Sequence, residues 1–193
     1  MQPLIDHARL YGQRPEEFAR YAAGQTPDVL FVTCSDSRVV PALITGVEPG
    51  QLFELRTAGN VVPSHLAERP TGEAATIEYA VQALGVADIV VCGHSHCGAV
   101  GAMVRGDDLS DLPAVRDWLR YGAETPKCAD PFDPTVAEAV QNHIRAQLIR
   151  LQAYPSVERR LTEGRLRLHG WYYEVHTGGV RTLHADTDTF ETL

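Results

Sequence analysis

Three short apolar runs divide the first half of the chain into a repeating pattern. They are "VLFVTC" (29–34), "QLFEL" (51–55) and "ADIVVC" (87–92). Each run has the length of a strand and is followed by a turn that carries Gly or Ser, and then by helix-like sequence. This alternation of strand and helix predicts βαβ units.

Two longer segments have helical periodicity instead. Between 71 and 85, apolar residues recur every three or four positions, at Ala74, Ile77, Val81 and Leu84. Thr71 is the predicted N-cap of this helix and Gly85 its predicted stop. A second long helix is marked by the same spacing at Val136, Val140, Ile144, Leu148 and Leu151. It should end before Pro155, because the residue preceding a proline disfavours helical conformation, and a shorter helix, "SVERRLTEG", is expected to follow.

The last part of the chain changes to strand periodicity. "LRLHGWYYEVHTGGVRTLHAD" contains two strand-like runs around "TGG", which is a hairpin signal. We therefore expect one α/β domain over 1–193, with a mainly parallel central sheet, an antiparallel edge strand and flanking helices. An N-terminal helical arm is expected over about 1–24.

Composition and charge narrow the possible partners. The net charge of −8 argues against a nucleic-acid partner, because that affinity depends on clustered Lys and Arg. The first residues lack the apolar segment of a signal peptide, and no apolar run is long enough to span a bilayer, so we expect a cytoplasmic protein with no membrane partner. The four cysteines, in an intracellular chain, favour metal binding or reactivity over a disulfide framework.

Polar residues at two predicted strand ends indicate a single site. "TCSDSR" presents Cys34, Asp36 and Arg38 in alternation, and "GHSHCG" follows the third predicted strand. Ligands bind beyond the carboxyl ends of strands in open sheets of this type. His94 and Cys97 alone are a weak signal and would also suit a buried thiol beside a capping histidine. With Cys34 they form a set that suits Zn²⁺ and leaves a fourth position open, which Asp36 could fill or approach through a water molecule.

The chain resembles the β-class carbonic anhydrases in these same motifs. "CSDSR" is followed about sixty residues later by "GHSHCG", and the resemblance continues through "GVEPGQLFELRTAGN", "IEYAVQALGV" and "LHGWYYEV". "DWLRY" (117–121) is typical of the bacterial and cyanobacterial branch. The resemblance implies zinc-dependent, reversible hydration of carbon dioxide to bicarbonate and a proton. It also implies a homodimer or a larger even-numbered homo-oligomer.

The resemblance further implies a role for each residue of the site. The ligands of Zn²⁺ would be Cys34, His94 and Cys97. Asp36 and Arg38 would form the catalytic dyad, with Asp36 as a fourth ligand only in a closed state. The residues that bind substrate would be Gln25, Phe53, Tyr79 and Gly98, the last through its backbone N–H. The pocket would be completed across a dimer interface.

Two positions depart from the family pattern. Thr57 replaces the Asn of "R-N-A-G-N", and we expect a looser hydrogen bond near Arg56. Phe31 stands where an allosterically inhibited subgroup has Trp. We therefore expect no inhibitory bicarbonate site and an open site with water as the fourth ligand.

Other interpretations of the same residues stay open. A zinc hydrolase of carbonyl sulfide or carbon disulfide would use the same ligands, whereas a catalytically silent module that binds bicarbonate would not need the dyad. His96 is expected to be partly exposed, either as a proton-relay residue or as a surface histidine without a role. Cys92 is expected in the core, Cys128 has no predicted chemistry, and without the family pattern Phe53 and Tyr79 would be ordinary core aromatics.

Overall fold

The fold is built on a mixed sheet with the strand order β2-β1-β3-β4-β5-β6. The computed structural model describes residues 1–13, 15–65, 70–122 and 128–193. Within these ranges the strands are β1 Val29–Cys34, β2 Leu52–Thr57, β3 Asp88–His94, β4 Arg167–Tyr173, β5 Val180–His184 and β6 Thr189–Thr192. β1 to β4 are mutually parallel, whereas β5 and β6 are antiparallel to their neighbours. The mainly parallel sheet with an antiparallel edge is confirmed, and β6 is a further edge strand that was not predicted.

The strand register brings the predicted motifs to one edge of the sheet. Cys34 pairs with Thr57 on β2, and His94 pairs with Tyr173 on β4. β3 continues two residues beyond the predicted end, through Gly93 to His94. A Cβ at Gly93 would lie 2.5 Å from a methyl carbon of Val140, so glycine is needed where the long helix crosses the strand.

The helices flank this sheet. The α-helices are α1 Gln2–Tyr11, α2 Pro15–Phe18, α3 Pro41–Thr45, α4 Gly72–Glu78, α5 Gly98–Arg105, α6 Pro113–Leu119, α7 Ala137–Gln152 and α8 Pro155–Thr162. Short 3₁₀ segments cover Ala19–Ala23, Ala58–Asn60 and Arg120–Gly122. Among the helices of the described residues, none has the length and apolar character needed to cross a membrane.

The two helices predicted from periodicity are present with the expected ends. The Thr71 hydroxyl accepts a hydrogen bond from the Ala74 N–H at 3.2 Å, as expected of an N-cap. After α4 the chain continues as a π-helical turn, Tyr79–Leu84, and stops at Gly85, whose φ of 72° is left-handed. α7 ends before Pro155, and α8 begins at that proline.

The core lies mainly between one face of the sheet and α4, α7 and α8. Alternate residues of β1 and β3 pack there against the apolar stripe of α7, which includes Val140 and Ile144. The opposite face carries a small cluster in which Phe31 packs edge-on against Trp171, at 5.8 Å between ring centroids. By contrast, none of the described residues of α1 is buried.

Candidate metal centre

Three side chains that can bind a metal meet at the carboxyl edge of the sheet. Cys34 is the last residue of β1, His94 is the last residue of β3, and Cys97 is the N-cap of α5. Their donor atoms all lie within 4.8 Å of one another, and all three residues are buried. β1 and β3 are parallel neighbours and therefore end at the same edge, and the short turn after β3 brings Cys97 back to it.

A backbone hydrogen bond fixes the tautomer of His94. The Nδ1 atom lies 2.9 Å from the carbonyl oxygen of Ser95. Because a carbonyl oxygen only accepts, Nδ1 carries the proton and Nε2 keeps a lone pair. The His94 side chain is fully buried, and Nε2 has no hydrogen-bond partner among the described residues. A buried acceptor without a donor is costly, so this nitrogen is suited to a cation.

The two thiols ionise unequally because they are close together. A hydrogen bond from Cys97 lowers the pKa of Cys34 well below its ordinary value, and the backbone N–H groups of Asp36 and Gly59 act in the same direction. The same hydrogen bond, together with burial, raises the pKa of Cys97 well above its ordinary value. A cation between the two sulfur atoms would favour the thiolate form of both.

This set of donors fits a Zn²⁺ ion. Thiolate sulfur and neutral imidazole nitrogen are ligands that zinc prefers in proteins. A bound cation would also occupy the unpartnered lone pair of His94 Nε2. Three protein donors leave one position of a tetrahedral site for a small molecule, which is the pattern of catalytic rather than structural zinc sites.

Asp36 lies beside this group and is held by Arg38. The Nε and Nη2 atoms of Arg38 donate to Oδ1 and Oδ2 of Asp36 at 2.9 and 2.7 Å. The backbone N–H of Arg38 adds a bond of 2.9 Å to Oδ1. The Arg38 side chain is the main reason why the pKa of Asp36 falls far below its usual value. Oδ2 of this ionised carboxylate lies 3.8 Å from Nε2 of His94. Both oxygens of Asp36 are at the same time hydrogen-bonded to Arg38.

Arg56 on β2 clamps the loop that carries Cys34 and Asp36. Its Nη2 atom lies 3.0, 2.9 and 2.8 Å from the carbonyl oxygens of Cys34, Asp36 and Val39. The β1–β2 register places Arg56 opposite Thr33, directly beside the end of β1. One planar guanidinium thus fixes three points of the loop path.

The turn after β2 supplies a hydrogen bond to the Cys34 sulfur. The N–H of Gly59 donates to Sγ at 3.4 Å. Gly59 has a φ of 72°, and a Cβ there would lie 3.0 Å from the Cβ of Ala99. Both the left-handed backbone and the close packing therefore require glycine at this position.

Thr57 makes a hydrogen bond of its own within this turn. Its hydroxyl donates to the carbonyl oxygen of Val61 at 3.1 Å. The neighbouring Arg56 keeps its bonds to the Cys34–Val39 loop. The side chains of Thr57 and Arg56 are thus both hydrogen-bonded to backbone carbonyl oxygens.

The four positions assigned to substrate binding do not lie together. Gly98 is exposed and is the first residue of α5, directly after Cys97, whereas Gln25 is exposed and precedes the start of β1, at the opposite end of that strand from Cys34. Phe53 and Tyr79 instead pack against each other, with 5.8 Å between their ring centroids. The register aligns Phe53 with Leu30, four residues before Cys34, which is roughly 13 Å along the strand. Within one chain these two aromatics therefore lie away from the three donor atoms.

His96 is partly exposed and links the metal-binding turn to its surroundings. Its carbonyl oxygen accepts from Nη2 of Arg38 at 3.2 Å, and its Nδ1 donates to the carbonyl oxygen of Pro134 at 2.8 Å. Its ring packs edge-on against that of His176 at 5.8 Å. The backbone of His96 is left-handed, with a φ of 57°. His96 is therefore part of the tight turn that connects His94 to Cys97.

The other two cysteines lie outside the donor group. Cys92 is fully buried beside Phe31 and Val90, and burial raises the pKa of its thiol to about 12. The core position expected for Cys92 is therefore confirmed. Cys128 is half-buried and lines a cavity of about 520 Å³ with Met103 and Leu119.

Comparisons with known proteins agree on one family. The family model described as carbonic anhydrase matches residues 29–180. The chain belongs to the carbonic anhydrase family. A carbonic anhydrase of Pseudomonas aeruginosa is 44% identical over 95% of this chain and 85% of its own length. Carbonic anhydrase 1 of Escherichia coli O157:H7 is 43% identical over 100% of this chain and 92% of its own.

Solved structures place the chain in the β class of the family. The β-carbonic anhydrase CcaA matches with a TM-score of 0.90 and 37% identity, over 100% of this chain and 99% of that one. Tetrameric β-carbonic anhydrases from Sordaria macrospora match with a TM-score of 0.74 and 28% identity, over 95% of this chain and 96% of theirs. Each covers the sheet and its flanking helices, so the fold is that of the class.

Several residues that support the site were missed from the sequence. Arg56 directly follows the predicted strand 51–55, and the observed β2 extends to include it; a cation next to a buried strand is a signal of an internal partner. His143 and Gln147 are fully buried on α7. They are four residues apart and directly precede Ile144 and Leu148 of the apolar stripe, so their helical spacing was a readable signal.

Proposed function

We propose that this chain catalyses the reversible hydration of carbon dioxide to bicarbonate and a proton, with Zn²⁺ held by Cys34, His94 and Cys97. The observation that carries the proposal is an ionised carboxylate, bound by an arginine, next to three buried donors of the zinc type. When bound, the ion would lower the pKa of a coordinated water towards about 7 and so make a nucleophile available at neutral pH.

Asp36 is the proposed hydrogen-bond acceptor that orients the attacking group. Its carboxylate remains ionised at neutral pH because Arg38 lowers its pKa, so both oxygens can accept hydrogen bonds. The bidentate contact with Arg38 also opposes movement of Asp36 onto the metal. This arrangement supports the open state of the site, with the fourth position left to water or substrate.

Substrate would be held by groups from both ends of β1, which fits a pocket shared between two copies. We propose that the N–H of Gly98, at the carboxyl end, and the side chain of Gln25, which precedes β1, donate to bicarbonate; both residues are exposed. Tyr79 is 50% exposed and lies with Phe53 away from the donors of its own chain. These aromatics are therefore proposed to line the pocket of a second copy, which makes a homodimer the smallest complete unit. The Sordaria macrospora relatives are described as tetrameric.

Hydration of carbon dioxide by the zinc-loaded protein, measured by stopped flow with metal analysis, tests the proposal. We expect one zinc per chain and rapid turnover, and Cys97→Ser should lose both. The same preparation should be assayed with carbonyl sulfide and carbon disulfide. A clear preference for either sulfur compound would overturn the substrate assignment. Stoichiometric zinc with no turnover of any of the three substrates would instead identify a silent module.

A further inference from the structure

Three side chains of α7 and one that follows it make a series of hydrogen bonds to a single stretch of backbone. They lie at or just beyond α7 with helical spacing, and we call them the α7 ladder: His143, Gln147, Arg150 and Tyr154. Each of the four has a hydrogen bond to a backbone group of 59–63, which is the segment that follows β2. The ladder thus fixes the path of a segment that has no strand neighbour of its own among the described residues.

The ladder begins at the turn that contacts the Cys34 sulfur. His143 Nε2 lies 2.9 Å from the carbonyl oxygen of Gly59. The N–H of the same glycine donates to Cys34 Sγ at 3.4 Å. Gly59 therefore connects α7 to a proposed metal ligand: its carbonyl oxygen is hydrogen-bonded to His143, and its N–H is hydrogen-bonded to Cys34.

The donors and acceptors of the ladder are mutually consistent. Gln147 Oε1 accepts from the N–H of Val62 at 2.8 Å, so its amide nitrogen is the group that faces His143 Nδ1, at 3.4 Å. That nitrogen donates, which leaves Nδ1 of His143 as an acceptor and places the ring proton on Nε2, towards Gly59. Burial lowers the pKa of His143 to about 4, and the ring is neutral as this pattern requires.

We propose that His143 is a positioning residue for the metal centre, which fixes the Gly59 N–H on the Cys34 sulfur and thereby tunes the metal–thiolate bond. The proposal rests on the proposed zinc site and concerns how this site is held. A hydrogen bond to a thiolate stabilises its lone pairs, so its loss makes the sulfur a stronger donor of charge to a metal. Outer groups of this type change metal affinity or activity by about 10–100-fold when they are removed.

Cobalt substitution gives a readout that does not depend on turnover. In the Co²⁺-loaded His143→Leu variant, we expect the sulfur-to-cobalt charge-transfer band to move to longer wavelength, because the Cys34 lone pairs rise in energy. The zinc dissociation constant, measured by competition with a chelator, should rise by about 10-fold, because without the His143 bond the Gly59 turn no longer holds the Cys34 sulfur in its binding position, and this loss outweighs the stronger donation by the sulfur. His143→Gln keeps an amide nitrogen near the position of Nε2 and should restore both values towards those of the unchanged protein.

The matched control is Tyr154→Phe, which removes the bond of 2.7 Å from the tyrosine hydroxyl to the carbonyl oxygen of Pro63, at the other end of the ladder. It should lower thermal stability and leave the charge-transfer band in place. If His143→Leu does not fold, His143→Asn, whose amide is too short to reach Gly59, takes its place with the same expected shift.

Either of two results would overturn the inference. One is a band at unchanged wavelength in His143→Leu or His143→Asn, and the other is an equal shift in Tyr154→Phe. Absence of carbon dioxide hydration in the unchanged, metal-loaded protein would count against the proposed function alone, because the cobalt spectra are recorded without substrate.

Discussion

Two carboxylate–arginine pairs with almost the same geometry stand at opposite edges of the sheet. At the carboxyl edge, Arg38 bonds to Asp36 at 2.9 and 2.7 Å. At the amino edge, Arg167 bonds to Asp88 at 2.8 and 2.7 Å. The two carboxylates are 18% and 17% exposed, and the arginine lowers the pKa of each. The ion pair itself therefore does not distinguish a reactive carboxylate from a structural one.

The difference lies in what each pair connects. Asp36 and Arg38 are two residues apart in one loop, and Nη2 of Arg38 also reaches the carbonyl oxygen of His96. This pair joins the loop of Cys34 to the turn of His94 and Cys97. Asp88 instead joins β3 to β4, where it contacts Arg167 and His169. The first pair thus orients a group beside buried metal donors, whereas the second fastens two strands.

The largest expected contrast is in catalysis. Asp36→Asn should lower kcat/KM for carbon dioxide hydration by on the order of 10²–10³, because the amide is neutral, keeps only one accepting oxygen and loses the charge that Arg38 holds. Asp88→Asn makes the same chemical change at the other edge and should leave kcat/KM within about two-fold. Zinc content serves as the control and should be unchanged in both. Similar losses in the two variants would show that position beside the donors is not what matters.

A smaller effect is expected from the clamp on the Asp36 loop. Arg56→Lys keeps the positive charge, but a single ammonium cannot hold three carbonyl oxygens in fixed positions. We expect kcat/KM to fall by about 10-fold, since small displacements of catalytic groups are costly. Arg167→Lys is the matched change at the amino edge and should have no such effect. If both variants keep full activity, the loop does not depend on Arg56 for its path.

The elements that the sequence predicted best are those with a local signal. The apolar runs of β1 and β3 define the buried strands, and both metal-binding motifs directly follow or end them, so their meeting at one edge follows from parallel pairing. Thr71 and Gly85 are similarly local, since a cap and a stop act within one turn. β6 was missed because its four residues are mostly exposed and carry one large apolar side chain, Phe190.

The supports of the site depend on contacts between distant parts of the chain. Arg56 reaches the loop after β1 only through the β1–β2 register, and His143 contacts Gly59 across 84 positions of sequence. Arg56 and His143 both bond to backbone carbonyl oxygens, which every residue type carries. The sequence therefore contains no complementary side chain that would reveal either contact. The place of Phe53 and Tyr79 involves a second copy in our proposal, and one sequence contains no direct sign of that geometry.

The smallest expected effect is on stability, and it tests whether the Asp88–Arg167 pair holds β3 and β4 together. Asp88→Asn should lower the free energy of unfolding by about 1 kcal/mol at pH 7, because the charge-assisted bonds between β3 and β4 weaken. Asp36→Asn should change it less, since its partner lies in the same loop and ties no strands together. Urea unfolding of the zinc-loaded proteins measures both.

The pH dependence of that difference follows from the direction of the Asp88 pKa. Arg167 and then His169 lower it in the folded state, so the folded protein binds a proton there less readily than the unfolded chain. The stabilisation is therefore complete above the unfolded pKa of about 3.9 and is lost as the pH falls through the lower, folded value. Unfolding curves of the unchanged protein and Asp88→Asn should converge below about pH 4. A constant difference down to pH 2 would mean that Asp88 acts through packing and not through its charge.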